Sequence, residues 1–229
     1  MAHNEEAPER LVFFSDAVIA IAMTLLALDL PVPHADHRTN QTLWHDFLQH
    51  WHTDYFPFLL SFVVIAAFWN THHRMFGYVA RLGRGVVPAN FAFLLTVILV
   101  PFVTRVLGVD GGYQVGDVLY AADLAALAGS LALLAYLSRS DELLKPGAPP
   151  SVMTDFVLGL IPTAAVFLLS IPVAVASPGS ATLVWLLLII AGRITDRIVS
   201  RSRRARATRR AANADSGALA ATERTEENE

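Results

Sequence analysis

The run Arg10-Leu11-Val12-Phe13-Phe14-Ser15-Asp16, continued as AVIAIAMTLLALDL through Leu30, decides how the rest of the chain is read. It is long and apolar enough for a bilayer span, which takes roughly 20 residues. An acid nevertheless stands a turn and a half inside it. An ionised Asp at the centre of a lipid-facing helix costs about 2.5–3.5 kcal/mol even on the mildest scale. Asp16 is therefore expected to face protein or water, with the hydroxyl of Ser15 beside it. Two roles stay open for it on these grounds: a polar pair that packs helices, or part of an ion path.

At about 100° per residue, Ile21, Leu25 and Leu28 share one helical stripe. Phe14 and Arg10 fall within roughly 20° of Ile21, whereas Ser15 and Asp16 point elsewhere. Ala17, Ala20, Ala22 and Ala27 leave room for close helix packing. An Ile/Leu stripe packs on lipid, packs on another helix, or narrows a pore. Asp29, just before Pro31, is either an ordinary interfacial acid or a charge that concentrates cations at a channel mouth.

Working outward, five more apolar runs follow: Tyr55 to Phe76, Val86 to Leu107, Val115 to Leu137, Val152 to Ala176 and Ala181 to Val199. The first itself reads as Leu11 to Val32, stopped by Pro31 and Pro33. Ser177-Pro178-Gly179-Ser180 is the turn signal between the last two. The runs are too long and too free of alternation for barrel strands. Glu5, Glu6 and Glu9 stand where a signal peptide would carry basic residues. Composition agrees. Of 229 residues 54% are hydrophobic and 16% charged, and the mean hydropathy is +0.47. A soluble fold of this size could not hide so much apolar surface. The expectation is an all-α integral membrane protein with six transmembrane helices per chain. With no cysteine, disulfide scaffolds, thiolate metal sites and cysteine nucleophiles are excluded.

Arg and Lys placement sets the orientation. Arg74, Arg81 and Arg84 lie in one connection, and Arg139 and Lys145 in another. Eight arginines follow from Arg193 to Arg210, while the opposite loops carry only Arg38 and Arg105. Residues 1–10 are thus expected as a cytoplasmic N-terminus and 11–200 as the membrane domain. Residues 201–229 are expected as a basic, then acidic, disordered cytoplasmic tail, in the cell membrane. The tail arginines serve topology or bind anionic lipid headgroups. Nucleic-acid binding is not expected, because no aromatic residues interleave with them.

His34, His37, His45, His50 and His52 lie in the loop after the first span, at irregular spacing. They read as surface or interfacial groups, and no metal site or cofactor is assigned. The His72-His73 pair reads as structural for the same reason. Asp123 is a second intramembrane acid without an assigned partner. No nucleophile elbow, Walker loop or dinucleotide fingerprint is present, so an enzyme is not expected. The two halves show no repeat, which counts against an inverted-repeat transporter.

Arg10, Phe14, Ser15 and Asp16 form R-x-x-x-F-S-D, followed by an A-I-x-x-T-L-L-like run at Ala20 to Leu26. Phe68-Trp69, His72-His73-Arg74-x-Phe76, and Asn90 to Thr104 ending in Pro101-Phe102-Val103-Thr104 continue the pattern. This resembles the potassium channels of the transmembrane protein 175 family in their short prokaryotic form. The resemblance covers the first half of the chain and matches the second only in hydropathy.

The resemblance implies a homotetramer whose central pore is lined by the first helix of each subunit. It implies a narrow hydrophobic constriction at Ile21, further apolar rings at Leu25 and Leu28, and a part in selectivity for Thr24. Arg10, Ser15 and Asp16, with Phe14 in the same motif, would join a hydrogen-bonded network with the second and third spans, through Trp69, His73 and Asn90. Asp29 would supply carboxylates at the outer mouth. On an ideal helix Arg10 falls on the pore stripe, so its network role needs a bend or fraying at the helix start. The permeant species would be potassium. No T-V-G-Y-G filter exists, so dehydration at an apolar neck would set a modest preference. The alternatives are a proton-coupled secondary transporter using Asp16, Asp123 and the histidines, or a non-conducting membrane scaffold.

Overall fold

The computed structural model describes residues 6–33, 39–109 and 114–177, together with Trp185. The chain divides into two compact units, Met1–Val184 and Trp185–Glu229. The expected sixth span at Ala181 to Val199 (Trp185 apart), the arginine-rich tail, His34, His37 and Arg38 lie outside the described residues.

The described helices are α1 (Glu6–Leu28), α2 (Asn40–Gln49), α3 (Phe56–Phe76), α4 (Val86–Val109), α5 (Gln114–Leu137) and α6 (Val152–Ala176). A π-helical turn, Trp51–Tyr55, leads from α2 into α3. Among the described residues, five helical segments are long and apolar enough to cross a membrane: those of α1, α3 with its π turn, α4, α5 and α6. The chain is a multi-pass membrane protein.

Helix ends follow from local chemistry. α1 stops at Leu28, short of the expected Val32, because the Pro31 ring would strike the carbonyl of Ala27 and drives Leu30 out of helical geometry. Its other end extends back to Glu6. The helix is therefore already formed at Arg10, so fraying does not turn that residue toward the network. α2 was not expected. Thr39 caps it, accepting from the Thr42 amide while Thr42 Oγ1 accepts from the Thr39 amide, so two otherwise orphaned donors are satisfied. Leu43, Trp44, Phe47, Leu48 and Trp51 give it an apolar side. The rings of Trp44, Phe47, Trp51 and Tyr55 cluster there, with Phe47 4.4 Å from Tyr55. Such aromatic groups suit a membrane–water boundary.

α5 packs most extensively, against α6 and α4, and α1 lies on α4 and α3. Gly116 permits the α4–α5 approach, since a Cβ there would stand 2.9 Å from Leu107 Cα. A Cβ on Gly108 would collide with the Thr53 carbonyl oxygen, so glycine lets the π turn close on the end of α4. At the opposite end, the connections after α3 and α5 are tied together. Ala80 donates to Leu143 O at 2.7 Å and Lys145 donates to Tyr78 O at 2.9 Å. Arg74, Arg81, Arg84, Arg139 and Lys145, all exposed, gather at that end, the one where α1 begins.

Candidate functional site

α1 presents two unlike faces. Ser15, Ile19, Ala22 and Leu26 are buried, at the i, i+4, i+7, i+11 spacing of one helical stripe. Ile21, Leu25 and Leu28 are turned away from the bundle, with exposures of 59%, 40% and 78%. The small side chain of Ala22 admits its neighbours closely. Ser15 thus lies on a different side of α1 from Ile21, Leu25 and Leu28.

The buried face is fixed by a chain of hydrogen bonds at the Arg10 end. Asn90, in the first turns of α4, donates through Nδ2 to Ser15 Oγ at 2.9 Å. Ser15 Oγ donates to Leu11 O at 2.8 Å. The remaining Asn90 atom, Oδ1, lies 2.8 Å from His72 Nε2 on α3. Because that oxygen can only accept, His72 Nε2 carries the proton and donates. Ser15, His72 and Asn90 are all fully buried. The His72 ring stacks on Phe93 at 5.0 Å and 9° and lies 4.6 Å from Phe76. Its Nδ1 has no hydrogen-bond partner, so this histidine is held mainly by ring packing and one donated bond.

Asp16 takes a second contact, accepting from Trp69 Nε1 at 2.8 Å in a half-exposed position. The Phe14 ring lies 5.7 Å from Phe91 on α4. The structure thus brings Ser15, Asp16, Trp69 and Asn90 together. Two other residues named from the sequence stand differently. The histidine bonded to Asn90 is His72, not His73. His73 is exposed and lies ring to ring with Trp69 at 5.5 Å. The physical reason is helical phase. Ser61, Ile65, Phe68, His72 and Phe76 form the buried stripe of α3, whereas His73 sits one turn from Trp69 on the other side. That stripe was available in the sequence and would have selected His72. Arg10 is exposed and makes no hydrogen bond or ion pair among the described residues. Within this chain it stays with the Ile21 stripe, as an unbroken helix requires.

Thr24 lies on the exposed side, its hydroxyl donating to Ile21 O at 2.7 Å. With its proton so engaged, Oγ1 presents only lone pairs outward, an acceptor suited to a cation or water. At the far end of α1, Asp29 pairs with Arg105 near the end of α4, Oδ1 to a guanidinium nitrogen at 2.9 Å. Tyr55 donates to Pro31 O at 2.7 Å. Ser15 with Asn90 at one end and Asp29 with Arg105 at the other make α1 and α4 run parallel in near-equal register.

Sequence reasoning missed a second buried cluster. Ser61 on α3 lies 2.7 Å from Thr104 Oγ1 on α4 and 3.1 Å from the Tyr120 hydroxyl on α5. Three hydroxyls so far apart in sequence give no local signal. Asp123 is buried one turn beyond Tyr120, with Oδ2 unpartnered. Along α2 and at its C-terminal end, His45 bonds Gln49 and His50 Nδ1 lies 2.9 Å from Asp46 O.

The family model described as endosomal/lysosomal potassium channel TMEM175 matches residues 10–101, the stretch holding α1, α3 and most of α4. A potassium channel of Streptomyces collinus is 35% identical over 182 residues, covering 74% of this chain and 87% of that protein. A potassium channel of Chamaesiphon minutus is 41% identical over 109 residues, covering 44% of this chain and 52% of the relative. Among solved structures, the crystal structure of a lysosomal potassium-selective channel TMEM175 homolog from Chamaesiphon minutus superposes with a TM-score of 0.70. It has 26% identity and covers 83% of this chain and 98% of that one. Likeness of this extent, carried by the helices that build the α1 site, means that the chain belongs to the TMEM175 family of channels.

Proposed function

We propose that the chain is the pore-forming subunit of a passive potassium channel in the cell membrane. Four copies would surround a central path lined by α1, with both termini in the cytoplasm. The observation that carries this is the division of α1. Ser15 and Asp16 bond it to α4 and α3, and its exposed side offers Ile21, Leu25 and Leu28 at 59%, 40% and 78% exposure, in line. A helix so anchored can hold large apolar side chains at a fixed radius around an axis. Two relatives similar to it, from Streptomyces collinus and Chamaesiphon minutus, bear the name potassium channel.

In this arrangement Ile21 forms the narrow neck. An ion there has neither bulk water nor a carbonyl cage, so it sheds or rearranges part of its shell, and the cost falls more heavily on the more tightly hydrated sodium. Thr24 sits three residues on with its lone pairs outward, and compensates part of the lost hydration. Leu25 and Leu28 extend the dry wall. Phe14, Ser15, Asp16, Trp69, His72 and Asn90 set the position of α1 without touching the ion, with His73 stacked at their edge. The arginine-rich tail is proposed to meet anionic lipid headgroups, at about 1 kcal/mol per charge near the surface.

Potassium flux from purified protein in liposomes tests the proposal, with Ile21→Asn alongside. The amide should lower the dehydration barrier, raise flux several-fold and weaken discrimination against sodium. An unchanged rate and an unchanged potassium preference would remove Ile21 from the pore. A proton-coupled transporter would instead draw on Asp123, the buried acid with an unpartnered oxygen. It predicts potassium uptake driven by an imposed proton gradient, which a passive channel does not show.

A further inference from the structure

At the end of α1 opposite the Ser15 network, Asp29 is not a free acid. Its Oδ1 lies 2.9 Å from an Arg105 guanidinium nitrogen, and the side chains are 43% and 65% exposed. The bond joins α1 to α4 where both helices near their ends. The Tyr55–Pro31 bond braces the chain just beyond it, and Leu28 stands exposed next to Asp29. Among the described residues from Ala17 to Pro33, Asp29 is the one charged side chain, and Arg105 meets it at contact distance.

We propose that Arg105 sets the charge of the outer pore mouth by pairing with Asp29, and so tunes the rate at which cations enter. This rests on the reading of α1 as the pore-lining helix. Each subunit then contributes a neutral pair where an unpaired Asp29 would contribute one negative charge, so four subunits hide a ring of four. Both partners are wet, so the pair adds little to folding. A charge left uncancelled there is nonetheless felt strongly at low salt, because the Debye length is about 30 Å at 0.01 M and about 3 Å at 1 M. Arg105 is a positioning residue in this scheme. It acts through Asp29, by charge and by holding the carboxylate against α4.

Single-channel recording in bilayers at about 0.01 M and about 1 M potassium chloride tests this, with four variants and Ile21→Asn as a reference. Arg105→Gln leaves Asp29 unpaired and should raise low-salt conductance at least about two-fold. Asp29→Asn leaves Arg105 unpaired and should lower it by a similar factor. The double variant restores neutrality and should return close to the parent, as should Arg105→Lys, which keeps the charge. All differences should collapse at high salt. Equal low-salt conductance across the series, or differences that persist at high salt, would overturn the proposal. If Ile21→Asn changes conductance while the charge series does not, only the role of Arg105 fails. If Ile21→Asn is also silent, the pore reading of α1 fails with it.

Discussion

α1 is held at both ends by polar contacts, but by opposite chemistries. At the Arg10 end Ser15, Asn90 and His72 form a chain of uncharged, fully buried groups. His72 donates to Asn90, Asn90 donates to Ser15, and Ser15 donates to the Leu11 carbonyl one turn back. At the Asp29 end the groups are charged and wet, and the partner is a long, exposed arginine. Water access explains the difference. A buried ion pair must recover the loss of hydration on both charges, whereas an exposed pair keeps most of its water and gains little. The comparison also separates two tasks. The buried chain fixes where α1 stands, and the exposed pair, in our proposal, fixes what charge an arriving ion meets.

Three stability measurements would break or sharpen that contrast. The largest effect is expected for Asn90→Ala. It strips His72 of its acceptor and Ser15 of its donor in a place water does not reach, and should lower stability by about 1–3 kcal/mol. Denaturant unfolding of the detergent-solubilised protein would read this. A cost within the scatter of surface substitutions would mean that the network does not hold α1. Next comes Trp69→Phe, which keeps an aromatic ring beside His73 and removes the bond to Asp16 with part of the indole. That contact is half-exposed, so about 1 kcal/mol is expected, and a loss equal to that of Asn90→Ala would erase the distinction between buried and exposed members. The smallest is Arg105→Gln, for which the same unfolding midpoint should move by about 0–1 kcal/mol. A loss of several kcal/mol would make the Asp29 end a structural anchor like the other.

Much of this was legible in the sequence. The apolar runs from Val86, Val115 and Val152 match α4, α5 and α6 closely, because long uninterrupted apolarity has few other solutions. The two faces of α1 followed from helical period alone. The misses share a cause. α2 carries its signal in a cap at Thr39 and in apolar residues four apart, which a search for spans passes over. His73 was chosen in place of His72 although the adjacent residues point about 100° apart, and only the buried stripe of α3 tells them apart. Arg10 was drawn into the network by resemblance, whereas an intact helix from Glu6 keeps it beside Ile21.

The sequence by itself determined that the chain lives in a membrane, where its long helices lie, and that one of them turns Ser15 and Asp16 away from the stripe of Ile21, Leu25 and Leu28. Those are properties of composition and of a fixed 3.6-residue turn, and they need no partner. Only the tertiary structure decided which atoms meet. Ser15 and Asn90 are 75 residues apart, Asp29 and Arg105 are 76 apart, and Ser61, Thr104 and Tyr120 come from three different helices. A hydrogen bond or ion pair forms over about 3 Å, and a match at that range depends on helix register and rotation. The packing of whole helices fixes both, through close approaches such as those at Gly108 and Gly116.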